Sequence, residues 1–327
     1  MPRVFSGIQP TGSLHLGNLL GAVRNWVHEQ DQADSFYCVV DLHALTVQAP
    51  PGAVGSQTLD LATTLLACGL DPARCTLFVQ SHVPQHTSLG WILQCTTGFG
   101  ELRRMTQFKE KSLGQDSVSA GLFTYPALQA ADILLYDTDS VPVGEDQRQH
   151  IELTRDVAER FNSRYGETFV IPQAAVPTAG ARVMDLQEPD RKMSKSSSTD
   201  AGIVGLDDPP ESVIKKFKRA VTDSLGEVRY DPDAQPGVSN LLSILGAATN
   251  RAPESVAAEY TMYGPLKSDA GEAVVELLRP IQSQLAEFRS DPAAVAAALR
   301  TGADKAESVA AEVLERAERH IGLLPRR

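Results

Sequence analysis

The chain has 327 residues, of which 42% are hydrophobic and 22% charged, and it carries a net charge of −11; that length suggests about two domains. The acidic balance argues against coating nucleic acid through a general positive field, although a local basic patch stays open. No apolar run reaches the ~18 residues of a membrane span, and Met1–Phe5 lacks the features of a signal peptide, which predicts a cytoplasmic protein.

In chain order, Val4–Ile8 reads as a strand and Leu16–Val27 as a helix. Phe36–Val40 is a buried strand, Thr58–Leu70 a helix ended by Gly69, Thr76–Val79 a second buried strand, and Leu89–Cys95 a helix. Strands alternating with helices predict right-handed crossovers and a parallel sheet covered on both faces. Ala120–Tyr136 reads as a helix despite Pro126. Val141–Val143 is a short strand that leads through Gly144 into an amphipathic helix, Asp146–Phe161, and Phe169–Ile171 is one more candidate strand. Residues 186–210 are polar, with three prolines and a serine run, and read as a linker or mobile loop. From Glu211 onward the pattern is helical, with Ala293–Leu299 and Ala303–Ile321 the strongest helix formers. The expected fold is α/β: a Rossmann-like, doubly wound nucleotide-binding domain over 1–188, a loop at 189–200, and a helical domain over 201–327.

The four cysteines, at 38, 68, 75 and 95, form no Cys-x-x-Cys, and no His pair completes a zinc pattern, so no tightly bound metal site is expected. Cys38 and Cys95 sit in apolar runs and read as small core residues. Two clusters are candidate basic patches or plain solvated helix faces: Arg103, Arg104, Lys109 and Lys111, and Lys215, Lys216, Lys218 and Arg219.

Two short motifs carry chemistry. Behind the first strand the chain turns through Gln9-Pro10-Thr11-Gly12 and enters a helix at His15-Leu16-Gly17-Asn18. A helix start after a strand's carboxyl end offers free N–H groups and partial positive charge to a phosphate. His15 and Asn18 add short polar groups, and Gly17 leaves room for adenine or ribose to approach. Far downstream, Lys192-Met193-Ser194-Lys195-Ser196 is a compact loop with two lysines. Such a loop can stabilise charge developing on an α-phosphate and a leaving pyrophosphate. Either half alone is weak; the pair points to ATP chemistry.

His-Leu-Gly-Asn with Lys-Met-Ser-Lys-Ser resembles the class I aminoacyl-tRNA synthetases. Over nearly its whole length the chain resembles the bacterial tryptophanyl-tRNA synthetase family, most specifically at 5–12, 39–46, 100–112, 125–136 and 141–162. The resemblance implies ATP as substrate with Mg²⁺, L-tryptophan and tRNA(Trp) as partners, adenylate formation followed by acyl transfer, and a homodimer formed through the sheet domain and an insertion at about 100–165. It implies catalytic roles for His15, Asn18, Lys111, Lys192, Ser194 and Lys195. Gln9, Thr11, Gly17, Gly144, Asp146, Gln147, Val183 and Met193 join the lysines around the nucleotide. The helical domain is expected to contact the anticodon.

For the amino acid, the resemblance makes Asp132 the acceptor of the indole N–H, with Phe5, Val141 and Val143 as walls. It places His43, Gln107, Tyr125, Gln129 and Gln147 near the ammonium or carboxylate. A carboxylate within the apolar run 130–134 is costly to bury without a partner, so Asp132 reads as a site residue on physical grounds as well. The tyrosyl enzymes share a Tyr-x-x-x-Gln-x-x-Asp pattern, present here at Tyr125, Gln129 and Asp132. Phe5 weighs against tyrosine, because it has no hydroxyl to meet a phenol, and a hydroxyl-reading site gains discrimination of order 10⁴–10⁵ from such a bond. A small-molecule nucleotidyltransferase and a non-charging, tryptophan-binding paralogue stay open. Residues 197–202 lack the proline-containing segment of many relatives.

Overall fold

Five parallel strands form the framework: β1 (Arg3–Ile8), β2 (Asp34–Val39), β3 (Thr76–Val79), β4 (Ser140–Pro142) and β5 (Gln173–Ala175), in the order β3-β2-β1-β4-β5. The computed structural model describes residues 1–47, 50–113, 117–144, 147–175, 182–194 and 199–325. Chain order reverses between β1 and β4, so these two strands flank the switch point where ligands bind in open α/β sheets.

The two faces of β2 and of β3 enter different cores. Tyr37, Val39, Leu77 and Val79 point into a core with the helix behind β1, the helix α2 (Ala53–Ala67) and the helices of 210–285. Phe5, Phe36, Cys38 and Phe78 point the other way, toward α3 (Gln85–Thr96), α4 (Ala120–Leu134) and α5 (Arg148–Tyr165). The helix behind β1, α1, is composite: Leu16–Asn18, a π-helical turn over Leu19–Val23, then Arg24–Glu29. Further helices are α6 (Pro210–Lys218), α7 (Pro236–Thr249), α8 (Tyr263–Ser290) and α9 (Pro292–Ile321).

The two helices expected at the C-terminus are one, because Thr301-Gly302 continues the helix rather than breaking it. α9 lies along β3, the edge strand. At Gly302 a Cβ would stand 1.9 Å from the Leu77 carbonyl oxygen, so only glycine permits the approach that covers the strand edge. Val295 and Leu299 enter one core, and Ala303, Ala306, Ala310 and Val313 the other.

Other expectations shift. The strand proposed at Phe169–Ile171 forms at Gln173–Ala175 instead. Phe169 packs its ring on Phe161 at 4.8 Å, while the Asn162 side chain bonds both its N–H and its carbonyl; with its main chain engaged by that side chain, no ladder forms there. The 186–210 stretch is more than a linker: Leu186, Met193, Val204 and Leu206 are each about 1% exposed or less and belong to the core. Cys95 is exposed rather than core, and all four cysteines are free thiols.

Candidate active site

The two signature motifs meet at the carboxyl end of β1. His15 caps α1, and its backbone N–H donates to Asn18 Oδ1 at 3.1 Å. The segment after the lysine loop braces this turn. His15 forms a β-bridge with Gly205, Leu16 N–H donates to the Val204 carbonyl at 2.8 Å, and Leu206 N–H to that of Leu14. From the other side, Met193 N–H donates to the Val183 carbonyl at 3.1 Å, and Lys192 bridges to Met184. Asn240 on α7 clamps Met184 by both its amide and its carbonyl. Gly17 does not stand next to open space: a Cβ there would lie 3.0 Å from the His15 ring and 3.5 Å from Met193 Cβ. The room expected for adenine or ribose at Gly17 is filled here by those two side chains. Gln9, Thr11 and Lys192 are exposed and Ser194 is half-buried.

Asp132, on α4, is 1% exposed and carries three hydrogen bonds. His43 Nε2 lies 2.7 Å from Oδ2; Gln80 Nε2 donates to Oδ1 at 2.7 Å, and His86 Nδ1 lies 2.6 Å from the same oxygen. His86 Nε2 in turn lies 2.7 Å from the Tyr136 hydroxyl. Burial by itself pushes the Asp132 carboxyl up, but the His43 charge and the bonds from His43 and His86 outweigh it and hold the group well below the usual carboxylate range. A carboxylate offers about four acceptor positions. Three are filled, and one on Oδ2 remains.

Around this centre the structure gathers several of the residues expected for the amino acid. Phe5 stacks on Tyr136 with ring centroids 5.6 Å apart. Tyr125 meets the His43 ring edge-on at 6.1 Å. Its hydroxyl lies 2.8 Å from His150 Nε2 and 3.4 Å from Gln107 Oε1, and burial pushes that hydroxyl up to about 12. Val141 is buried and Val143 packs beside it. Gln129 stands half-buried about one helical turn before Asp132. At the end of β4, Gln147 N–H donates to the Gly144 carbonyl at 3.0 Å and starts α5. Asp146, Lys195 and the Lys111 side chain lie outside the described residues.

Four members of this cluster escape sequence reading: Gln80, His86, Tyr136 and His150. Gln80 follows directly on β3, so its place at a strand's carboxyl end was the available signal. Tyr136 closes an apolar run, where a polar group needs a partner, whereas the polar neighbours Gln85, Thr87 and Ser88 leave His86 without a local signal. In the candidate patch at 215–219, Lys216 is buried and paired with Asp208 at 2.8 Å and Asp200 at 3.5 Å, while Lys215, Lys218 and Arg219 are exposed. Arg103, Arg104 and Lys109 are exposed.

The family model for class I tRNA synthetases of the tryptophan and tyrosine type matches residues 1–279. The chain belongs to this family. Among its relatives, tryptophan–tRNA ligase 2 of Streptomyces avermitilis is 54% identical, with 99% of this chain and 98% of that protein aligned. Tryptophan–tRNA ligase of Mycobacterium leprae is 52% identical over 99% of this chain and 97% of its own. Among solved structures, tryptophanyl-tRNA synthetase of Mycoplasma pneumoniae superposes with a TM-score of 0.91 at 39% identity, covering 99% of this chain and 98% of that one. The enzyme of Campylobacter jejuni, solved with ADP and tryptophan, gives 0.83 at 31% identity, covering 98% and 100%. The family's fold is the parallel sheet with flanking helices described above. No helix among the described residues is long and apolar enough to cross a membrane.

Proposed function

We propose that the chain is a tryptophan–tRNA ligase that activates L-tryptophan with ATP and then charges tRNA(Trp). In the first step a tryptophan carboxylate oxygen attacks the α-phosphorus, and pyrophosphate leaves with the bridging electron pair. In the second, a terminal ribose hydroxyl of the tRNA attacks the mixed anhydride, and AMP leaves. The observation that carries the amino-acid assignment is the Asp132 cluster. It is a buried, ionised acceptor with one open position, and Phe5, expected as a wall of the pocket, bears no hydroxyl. An indole presents one N–H donor and an otherwise apolar ring, which that arrangement satisfies.

His15, Asn18 and the lysine loop are the phosphate-facing groups in this reading, with Gln9, Thr11, Gly144, Asp146, Gln147 and the Val183–Met193 pairing around the adenosine. Loop lysines act on charge that appears only during phosphoryl transfer. Mg²⁺ enters as part of the nucleotide substrate, where it neutralises phosphate charge. Among the described residues, no group of three or more His, Cys, Asp or Glu is gathered to hold a resident ion. A homodimer is part of the same reading, supported by large exposed apolar side chains at Trp91, Phe99 and Leu113, which are 68%, 70% and 78% exposed.

Pyrophosphate exchange and tRNA acylation, run with tryptophan and tyrosine side by side, test the proposal. Exchange and charging with tryptophan are expected, and exchange with tyrosine only at a level lower by orders of magnitude. Exchange driven equally by both amino acids would overturn the assignment, and exchange without charging would favour a non-charging paralogue.

A further inference from the structure

Behind Asp132 lies a buried relay that no substrate group can touch. Tyr136 is 0% exposed, stacked against Phe5 at 5.6 Å and Phe36 at 4.7 Å. Its hydroxyl meets His86 Nε2 at 2.7 Å, and His86, also 0% exposed, meets Asp132 Oδ1 through Nδ1 at 2.6 Å. The proton pattern follows from chemistry. The Asp132 carboxylate only accepts, so His86 carries a proton on Nδ1, and in the tautomer that leaves Nε2 bare this nitrogen accepts from Tyr136. Burial keeps the Tyr136 hydroxyl protonated at any ordinary pH. Tyr136 and His86 therefore point their donors one way, along a chain that ends on a single oxygen, Asp132 Oδ1.

We infer that His86 and Tyr136 are a positioning pair that sets the enzyme's choice of ring: His86, oriented by Tyr136, fills Asp132 Oδ1 together with Gln80, so that only one acceptor position on Oδ2 faces the substrate. The inference rests on the assignment of Asp132 to the indole N–H. It also explains why a phenol is refused. A tyrosine hydroxyl could donate to Oδ2, but its own lone pairs need a donor. His43 Nε2, Gln80 and His86 direct theirs to Asp132, and Tyr136 directs its own to His86. With the donors that converge on Asp132 committed to its oxygens, a phenol oxygen buried beside them gains none of these bonds, and an unpaired buried phenol oxygen is costly.

The test compares kcat/KM for tryptophan with that for the analogue whose ring sulfur replaces the indole N–H. The ratio of the two is independent of how much enzyme is folded, so a merely structural defect leaves it unchanged. Tyr136→Phe is nearly isosteric and is expected to lower the ratio about 3- to 10-fold, and His86→Ala by ~10-fold or more, as loss of an oriented charged hydrogen bond implies. His86→Asn, whose amide N–H₂ takes the place of Nδ1, is expected to restore most of it. A parallel Asp132→Asn variant separates the two levels of the idea. If that variant leaves the ratio unchanged, the pocket assignment itself fails. If it collapses the ratio while Tyr136→Phe and His86→Ala do not, or if His86→Asn is no better than His86→Ala, the positioning role is wrong.

Discussion

Replacing Asp132 with asparagine is the most direct perturbation of the site. The carboxylate accepts from His43, Gln80 and His86 at 2.7, 2.7 and 2.6 Å. An amide has one oxygen with two lone pairs and an NH₂ that only donates. If the oxygen keeps Gln80 and His86, the NH₂ turns toward His43 and the incoming ring. His43 can answer by changing tautomer, but the indole N–H cannot. The loss is one charge-assisted hydrogen bond, worth roughly 1.5–3 kcal/mol, or about 10- to 100-fold in kcat/KM for tryptophan at 1.4 kcal/mol per decade. Tryptophan-dependent pyrophosphate exchange measures this directly, with the KM for ATP expected to change by less than about twofold. Unaltered tryptophan kinetics would sink the pocket assignment. The same variant has a pH signature. The folded-state pKa of Asp132 is depressed, so its contribution to stability is present above the unfolded value of ~3.9. It is lost as pH falls through the folded value. The stability gap between wild type and Asp132→Asn should therefore close as pH falls below about 4, as read by urea unfolding at stepped pH.

Three other outcomes follow from separate parts of the molecule. Gly302→Ala drives a methyl to within 1.9 Å of the Leu77 carbonyl oxygen; α9 must lift from the β3 edge, at a cost of roughly 2–4 kcal/mol in chemical denaturation, and wild-type stability would refute the edge-covering role. Lys216→Met leaves Asp208, which also holds Gly205 N–H at 3.0 Å, without its cation; since the Asp208 side chain is 21% exposed, a loss of about 1–3 kcal/mol is expected, measurable as a lowered Tm. Lys195→Ala is expected to slow pyrophosphate exchange chiefly through kcat, as for a group acting in the transition state, and a pure KM effect for ATP would contradict that role.

Much of the sheet was legible because its strands are short apolar runs set between helical repeats, and burial on both faces demands that pattern. Asp132 was legible for the opposite reason: a carboxylate in an apolar run needs an explanation. What supports it was not. His86 lies 46 residues from Asp132 in the chain and Gln80 lies 52, and neither stands out locally, since any polar residue beside a strand end can serve solvent. The strand at 173–175 was missed because Gln173-Ala174-Ala175 has little β-propensity and is held only by pairing with β4. The 186–210 stretch misled because its scattered apolar residues, Leu186, Met193, Val204 and Leu206, follow neither helix nor strand period, yet all four are buried in one core.

That last feature changes how the two signature motifs are understood. The lysine loop does not hang from a free linker. Its entry is fixed by Met184 against Asn240 and by Met193 against Val183, and its exit by the strand-like contacts of Val204–Leu206 with Leu14–Leu16. The exit contacts lie on the turn that starts α1, and Met193, at the entry, lies against Gly17 itself. If a nucleotide enters beside Gly17 as proposed, the His15 ring or the Met193 side chain must turn aside, so the group that yields belongs to one of the two motifs themselves.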